Sequence, residues 1–339
     1  MNPFSWQACD SVDAATGALN EHTKAVAGGT NLLDLMKAGV MRPPALAHVA
    51  GLPLAAIEDD GAGGLRLGAT AHNADTAYHL LVRERYPLLT AAILAGASPQ
   101  IRNMATNGGN LLQRTRCHYF YDTAVACNKR SPGSGCAAIG GLTRYHAILG
   151  ASEHCIATHP SDMCVALAAL DAVVHVRSVR GARAIAFQDF HRLPGDHPEQ
   201  DSTLAADELI THIALPDASR FVNNSVYLKF RDRASYAFAL VSAAAALDVG
   251  ADGIVRDARV ALGGVAHKPW RMRAAELALI GETATLPNFE KVADLLLAGA
   301  VPQRDNAFKL SMARRAVVRA LEQALNGTID NTDAGEQHE

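Results

Sequence analysis

Hydrophobic and polar positions alternate along this chain in short blocks, and helical and extended blocks follow one another. Ser11 caps a helix with Asp13 near its positive end. In KAVAGGTNLLDLMKAGV (24–40) a short β-like piece meets two glycines and then a helix. Leu32, Leu33, Leu35 and Met36 fall mostly on one face of that helix, and MRPP breaks it. The stretch from ALAHVAG to HNADTA predicts short strands between glycine-rich turns. Tyr86-Pro87 opens the helix PLLTAAILAGA, and IRNMATNGGNLL follows as strand and loop. HPSDMCVALAALDAVVHVRS reads as a helix capped by Ser161 or Asp162, then a strand. GARAIAFQDF and DELITHIALP predict two further strands. Composition shifts near Phe221, after which strands are followed by helices. The apolar run Ala237–Val249 is a buried helix or strand, too short to span a bilayer. A polar tail is expected to fray.

At 339 residues the chain can form two or three domains with a sizeable core. Charge is nearly balanced, 31 Lys+Arg against 34 Asp+Glu, so the clustered basic face of a nucleic-acid binder is not expected. The N-terminal MNPFSWQACDSVDAA has neither a basic segment nor an apolar core of an export signal. The chain is therefore expected to stay in the cytoplasm or to be exported folded, with a partner.

Cysteine changes the picture. Cys117, Cys127, Cys136 and Cys155 fall within one short window, whereas Cys9 and Cys164 stand apart. Cys164, in an apolar helical run, reads as an ordinary core residue. Clustering favours a metal or cluster site over scattered bridges. The spacing C-x9-C-x8-C-x18-C lacks the close pairs of structural zinc and suits the four corners of a [4Fe–4S] cube better. Lys129, Arg130 and Arg144 can offset its negative charge, and His118, His146, His154 and His159 are candidate substitutes for a thiolate. A chain whose four cysteines hold zinc is the competing expectation.

Two glycine loops carry the other candidate chemistry. AGGTN (27–31) lies where a strand hands over to a helix, and ATNGGN (105–110) has Thr106 and Asn110 as side-chain donors and acceptors. Such junctions aim free N–H groups at an anion, and glycine lets a phosphate approach the backbone. The loops match neither the Rossmann nor the P-loop fingerprint. Around Gly28 and Gly108 they suit a long ligand with a central diphosphate, such as FAD.

AVAGGTNLLDLMKAGV, LGATAHNADT, IRNMATNGGNLL, DELITHIALP and ARVALGGVAHKPWRM, in that order, resemble the FAD-binding medium subunits of the molybdenum hydroxylases. That family includes xanthine dehydrogenase, carbon monoxide dehydrogenase and aldehyde oxidoreductase. The resemblance runs over nearly the whole chain and implies an α+β fold. Residues 1–220 would form a two-part FAD-binding domain of vanillyl-alcohol-oxidase (PCMH) type, with an iron–sulfur insertion at 114–158. Residues 221–328 would form a C-terminal α/β domain of CO dehydrogenase flavoprotein type, and 329–339 a disordered tail. Carried over from the family, the FAD-binding residues are Val26, Ala27, Gly28, Gly29, Thr30, Asn31, Leu32, Leu33, Thr106, Gly109, Asn110 and Asp162, with Lys229 near the flavin ring.

The cysteine stretch separates Asn110 from Asp162, which lie much closer together in ordinary family members. RTRCHYFYDTAVACNKRSPGSGCAAIGG resembles the insertion of the bacterial periplasmic aldehyde oxidoreductase flavin subunit, which carries FAD and a [4Fe–4S] cluster. On that resemblance Cys117, Cys127, Cys136 and Cys155 hold the cluster. With little apolar content of its own, the insertion is expected to draw stability from the metal-thiolate core. The resemblance also implies a heterotrimer, with a molybdenum-cofactor large subunit that oxidises an aldehyde and a [2Fe–2S] small subunit that passes electrons to the FAD. An external acceptor takes them onward, the chain itself supplies no catalytic base or nucleophile, and the assembly would reach the periplasm on a partner's signal. A 4-hydroxybenzoyl-CoA reductase-like subunit and a stand-alone flavin oxidoreductase with a four-cysteine zinc site are the rival readings.

Overall fold

The computed structural model describes residues 1–328, so the tail expected at 329–339 lies outside the described residues. The N-terminal part is a β-α-β-α-β unit: β1 Ser5–Ala8, α1 Val12–Ala18, β2 Thr23–Val26, α2 Leu32–Lys37 and β3 Ala45–His48. Its three strands are parallel with β3 in the centre, as helical crossovers require. Ser11 caps α1, accepting from the Ala14 N–H. α2 ends at Lys37 with Gly39 in the left-handed region (φ 71°), before the MRPP break is reached.

A second, five-stranded antiparallel sheet has the order β4-β5-β8-β6-β7. Its strands are β4 Ile57–Asp59, β5 Leu65–Gly68, β6 Val173–Ser178, β7 Gly181–Ala186 and β8 Leu209–Leu215. Alternation shows plainly in β6, where Val174 and Val176 are buried and Arg177 faces out. Helices α3 Asn73–Tyr78, α4 Leu80–Arg85 and α5 Pro87–Ala95 lead to two short helices, α6 Pro99–Arg102 and α7 Asn107–Leu111. The insertion carries α8 His118–Tyr121, and α9 Asp162–Ala169 follows it. IRNMATNGGNLL is therefore helical where a strand and loop were expected. Ser98 and Thr106 cap the two pieces, accepting from the N–H groups of Ile101 and Gly109. Likewise FQDF is a helical turn, α10 Phe187–Phe190, that ends β7.

The C-terminal part is an antiparallel sheet of β9 Ser225–Phe230, β10 Val241–Val249 and β11 Val255–Gly263. α11 Arg273–Leu277, α12 Leu286–Leu296 and α13 Phe308–Leu325 follow. The run that read as helix or strand is β10. It is covered by α13 and α9, so its residues are apolar without alternation. Among the described residues no helix is long and apolar enough to cross a membrane.

The insertion corrects one expectation. It is not poor in apolar anchors: Phe120, Ala138, Ala147, Ile148, Leu149 and Ile156 are buried, and Ile148 and Leu149 join the core of the C-terminal part. The Ile148 and Leu149 N–H groups both donate to Val265 O, and Val301 N–H donates to Ile148 O. Phe120 and Cys127 pack on Leu35 of α2. The segment is thus stitched to both halves of the protein by ordinary packing and backbone bonds.

Candidate cofactor site

A cavity of about 900 Å³ lies where the parallel unit, the five-stranded sheet and the C-terminal sheet meet, a volume at the upper end for ligand pockets. The AGGTN loop forms one wall. Gly28 has no room for a side chain: a Cβ there would sit 1.8 Å from Met104 O. Gly29 is in the left-handed region (φ 71°), and a Cβ would press on Leu33. Val26, Ala27, Thr30, Asn31 and Leu32 also line the cavity, whereas Leu33 turns away behind Gly29. Asn31 accepts from the Arg114 N–H at 2.8 Å, which ties this loop to the start of the insertion.

The TNGGN loop lines the same cavity beside it. Thr106 Oγ1 is occupied as the α7 cap, so its role is to hold the loop's backbone. Gly108 packs on Ala69 and Gly109 lies at the wall. Asn107, which sequence reasoning passed over, is fully buried and bonded to Gly68 O, Asn73 and Thr76, and it fixes the loop on the sheet. The Asn110 amide donates to Asn73 and accepts from Gln113 and from the Ser161 hydroxyl. Ser161 is at the same time the cap of α9, so the second glycine loop and the HPSD segment are joined by one hydroxyl.

Asp162 reaches the cavity wall but does not cap α9; Ser161 does. Its carboxylate accepts from the Tyr227 hydroxyl at 2.6 Å and from Lys229 Nζ at 2.8 Å. Burial and the adjacent Asp162 charge hold the Tyr227 phenol well above its ordinary pKa. Lys229 also donates to Ala95 O and does not line the cavity. It lies one layer behind the wall, as counter-charge to Asp162. Asp162 and Lys229 were both expected near the flavin; Tyr227 and the pairing of the three left no sequence signal, because β9 and α9 are far apart in the chain.

The donor chemistry fits a dinucleotide. Two loops whose backbones are bared by glycine face one cavity, and the carboxylate and amides along it are held by protein partners.

Only Cys117 of the four insertion cysteines reaches this cavity. Its Sγ lies 3.1 Å from His146 Nε2, and both side chains line the wall. Cys127 and Cys136 face each other in an antiparallel bridge. All four are free thiols. Burial pushes Cys117 up to about 12 and Cys155 to about 11, and in each case two other insertion cysteines add to the rise. The same burial takes His146 down to about 4.

The surrounding charges differ from expectation. Arg130 clamps the carbonyls of Tyr119, Phe120 and Val125, and Arg144 forms an exposed pair with Asp232. Lys129 is buried on Asp201 at 2.5 Å; of the three it alone acts on a thiol, favouring the charged form of Cys155. His154 is half-exposed beside Asp196. Among the described residues, the one set of three or more His, Cys, Asp or Glu ligand atoms within 4.8 Å of one another is His159, Cys164 and His191. No three of the four insertion thiols approach that closely.

Comparison with known families agrees with the two-part architecture. The FAD binding domain in molybdopterin dehydrogenase matches residues 2–218, and the CO dehydrogenase flavoprotein C-terminal domain matches residues 226–324. The chain belongs to the FAD-binding medium subunits of the molybdenum hydroxylases, a family of multi-subunit oxidoreductases. It is 52% identical over 302 residues, 89% of this chain and 91% of the relative, to the aldehyde oxidoreductase FAD-binding subunit PaoB of Escherichia coli K12. It is 26% identical over 320 residues, 94% of this chain and 95% of the other, to the glyceraldehyde dehydrogenase medium chain of Sulfolobus acidocaldarius. In structure it matches a chain of carbon monoxide dehydrogenase from Hydrogenophaga pseudoflava with a TM-score of 0.75 and 25% identity, over 96% of this chain and 98% of that one.

Proposed function

We propose that this chain is the FAD- and [4Fe–4S]-binding electron-transfer subunit of a molybdenum-dependent aldehyde oxidoreductase. It would pass electrons from the [2Fe–2S] clusters of a small subunit to an external acceptor. The observation that carries the reading is that the cysteine insertion, through Cys117 and His146, and the two glycine loops line one cavity. The extent of likeness to an aldehyde oxidoreductase subunit supports the aldehyde over other substrates of the family.

Bound flavin supplies a centre that accepts and releases electrons one or two at a time. The chain's own part is to bind and shield it. Gly28, Gly29 and Gly109 would present backbone to the diphosphate, and Asn110 and Asp162 line the cavity in orientations fixed by protein partners. Cys117, Cys127, Cys136 and Cys155 would hold the cluster beside it. No three of the four thiols lie within 4.8 Å of one another, so they form neither a gathered zinc site nor a cluster-like one in this structure, and the cluster reading rests on the number and spacing of the cysteines. Cys117 and His146 do meet at the cavity at 3.1 Å, but burial pushes the thiol up to about 12 and the imidazole down to about 4, so the pair stays neutral, and we assign aldehyde chemistry to the molybdenum subunit.

Anaerobic purification with iron, zinc and flavin analysis, followed by EPR of the reduced protein, tests this. About four irons and one FAD per chain, with a reduced-cluster signal, is the expected result. Flavin with zinc in place of iron would keep the FAD assignment and end the cluster assignment.

A further inference from the structure

Behind the wall of the cavity, beside the end of the insertion, three side chains from different elements converge. His159 lies in the loop before α9, Cys164 in the first turn of α9, and His191 at the end of α10. Their ligand atoms lie within 4.8 Å of one another. Cys164 is fully buried and His191 nearly so, while His159 borders the cavity.

The hydrogen bonding of the two imidazoles is incomplete in a telling way. His191 Nε2 is 2.8 Å from Leu111 O, and a carbonyl only accepts, so Nε2 carries the proton and Nδ1 bears a lone pair. That Nδ1 has no partner among the described residues, and neither has His159 Nε2. An imidazole–imidazole hydrogen bond would satisfy both, but the rings do not make one: they lie tilted by 51° with centroids 4.3 Å apart. Nine buried side-chain atoms among the described residues have no partner, and two of them, His191 Nδ1 and His159 Nε2, fall in this one cluster, where a water or an ion would satisfy both. A histidine whose far nitrogen donates to a backbone carbonyl is also the arrangement that orients metal ligands. Burial keeps both rings neutral, the form that ligates, with His191 near 4 and His159 well below its ordinary value.

We propose that His159, Cys164 and His191 form a second metal site, separate from the insertion cysteines, that takes a closed-shell ion of the zinc or copper(I) type. Two imidazoles and one thiolate suit both ions, and three protein ligands leave one position for water. Binding ionises the Cys164 thiol and releases its proton to solvent, which burial alone resists. The ion would fasten the His159 loop, the start of α9 and the end of α10 together at the flavin wall.

The test uses the full chain with its flavin, treated with chelator, exposed separately to Zn2+ or to Cu+ under reductant, and gel-filtered. Wild type should retain about one ion per flavin, with an X-ray absorption shell of nitrogen and one sulfur. Cys164→Ala and His191→Asn should each lower affinity at least ~10-fold while iron and flavin stay at wild-type levels. Which ion is retained separates zinc from copper. The proposal is overturned if wild type keeps neither ion, or if the variants keep as much as wild type. A shell of sulfur alone would overturn it too, since that ion would sit in the insertion. Where a variant is aggregated or unfolded by circular dichroism, the wild-type absorption shell decides.

Discussion

The two walls of the cavity are built on opposite principles. The glycine-loop wall is made of backbone. Gly28 runs so close to Met104 O that no side chain fits, and Asn107 and Thr106 serve only to hold that backbone still. The insertion behind the other wall is held by side chains that grip its loops, and none of these side chains lines the cavity. Arg130 gathers three carbonyls, Asn128 bridges His154 O and the Gly135 N–H, and Lys129 reaches Asp201. A backbone wall tolerates no added atoms, whereas a side-chain wall tolerates change except at the groups that do the holding. The difference teaches where the flavin and the proposed cluster would each be vulnerable.

Gly28→Asp should have the largest effect and should act on flavin alone. A Cβ forced within 1.8 Å of a backbone oxygen must push the two loops apart, and the substitution adds a negative charge to the loop proposed to bind the diphosphate. A loss of about 3 kcal/mol, roughly 100-fold in flavin affinity, is a lower expectation. Flavin fluorescence after gel filtration measures it, and flavin retained at wild-type affinity would show that the cofactor does not use this wall. Cys127→Ser should produce the opposite phenotype, with iron lost and flavin kept, because Cys127 does not line the cavity. Full iron content in that variant would remove Cys127 from the ligand set.

How much of this was legible in the sequence follows the same division. The glycine loops could be read because steric need writes itself into residue type: only glycine fits at Gly28 and Gly29. The helix after Ser161 and the strand β6 were legible from capping and alternation. β10 was not, since a strand covered on both faces shows no period. Nor were the short helices around Thr106, whose helicity rests on single caps rather than on apolar spacing. The cysteines announced a site but not its surroundings: Arg144 pairs with Asp232 and Arg130 with carbonyls, contacts that arise only once distant segments meet. Cys164 read as plain core, and nothing in its neighbourhood along the chain points to His191.

Between the two walls lies Asp162, and Asp162→Asn sharpens the comparison at intermediate size. The substitution keeps the shape and removes the charge that Lys229 faces; Lys229 is buried, with Asp162 as its acidic partner. Breaking one partner of a buried pair leaves the other uncompensated, at about 3 kcal/mol. Chemical denaturation of the flavin-loaded chain should show that loss, with flavin binding weakened to a lesser degree because the glycine loops remain. If stability is unchanged and only flavin is lost, Asp162 acts on the cofactor directly and not through Lys229 and Tyr227.

The smallest expected effect concerns the bolt between the insertion and the C-terminal helix. Lys309, 0% exposed, donates to His146 O and to Gly264 O, the second of which borders the flavin cavity. Burial, with Arg144 adding a little, lowers its pKa from 10.5 to about 7. Below pH 7 both folded and unfolded chains carry the proton and the cost of burying the charge is fully present. As pH rises through about 7 the folded chain gives up its proton while the unfolded chain keeps it until 10.5. Stability contributed by this site therefore rises with pH across that window, by at most about 1.4 kcal/mol per pH unit. Lys309→Met, which has no proton to lose, should flatten that part of the profile. Urea midpoints at a constant unfolding slope, compared for the two proteins from neutral to alkaline pH, measure the difference. Parallel profiles would mean that the two carbonyls hold the Lys309 ammonium charged against burial, and the seam beside the cavity would then be cationic at every working pH.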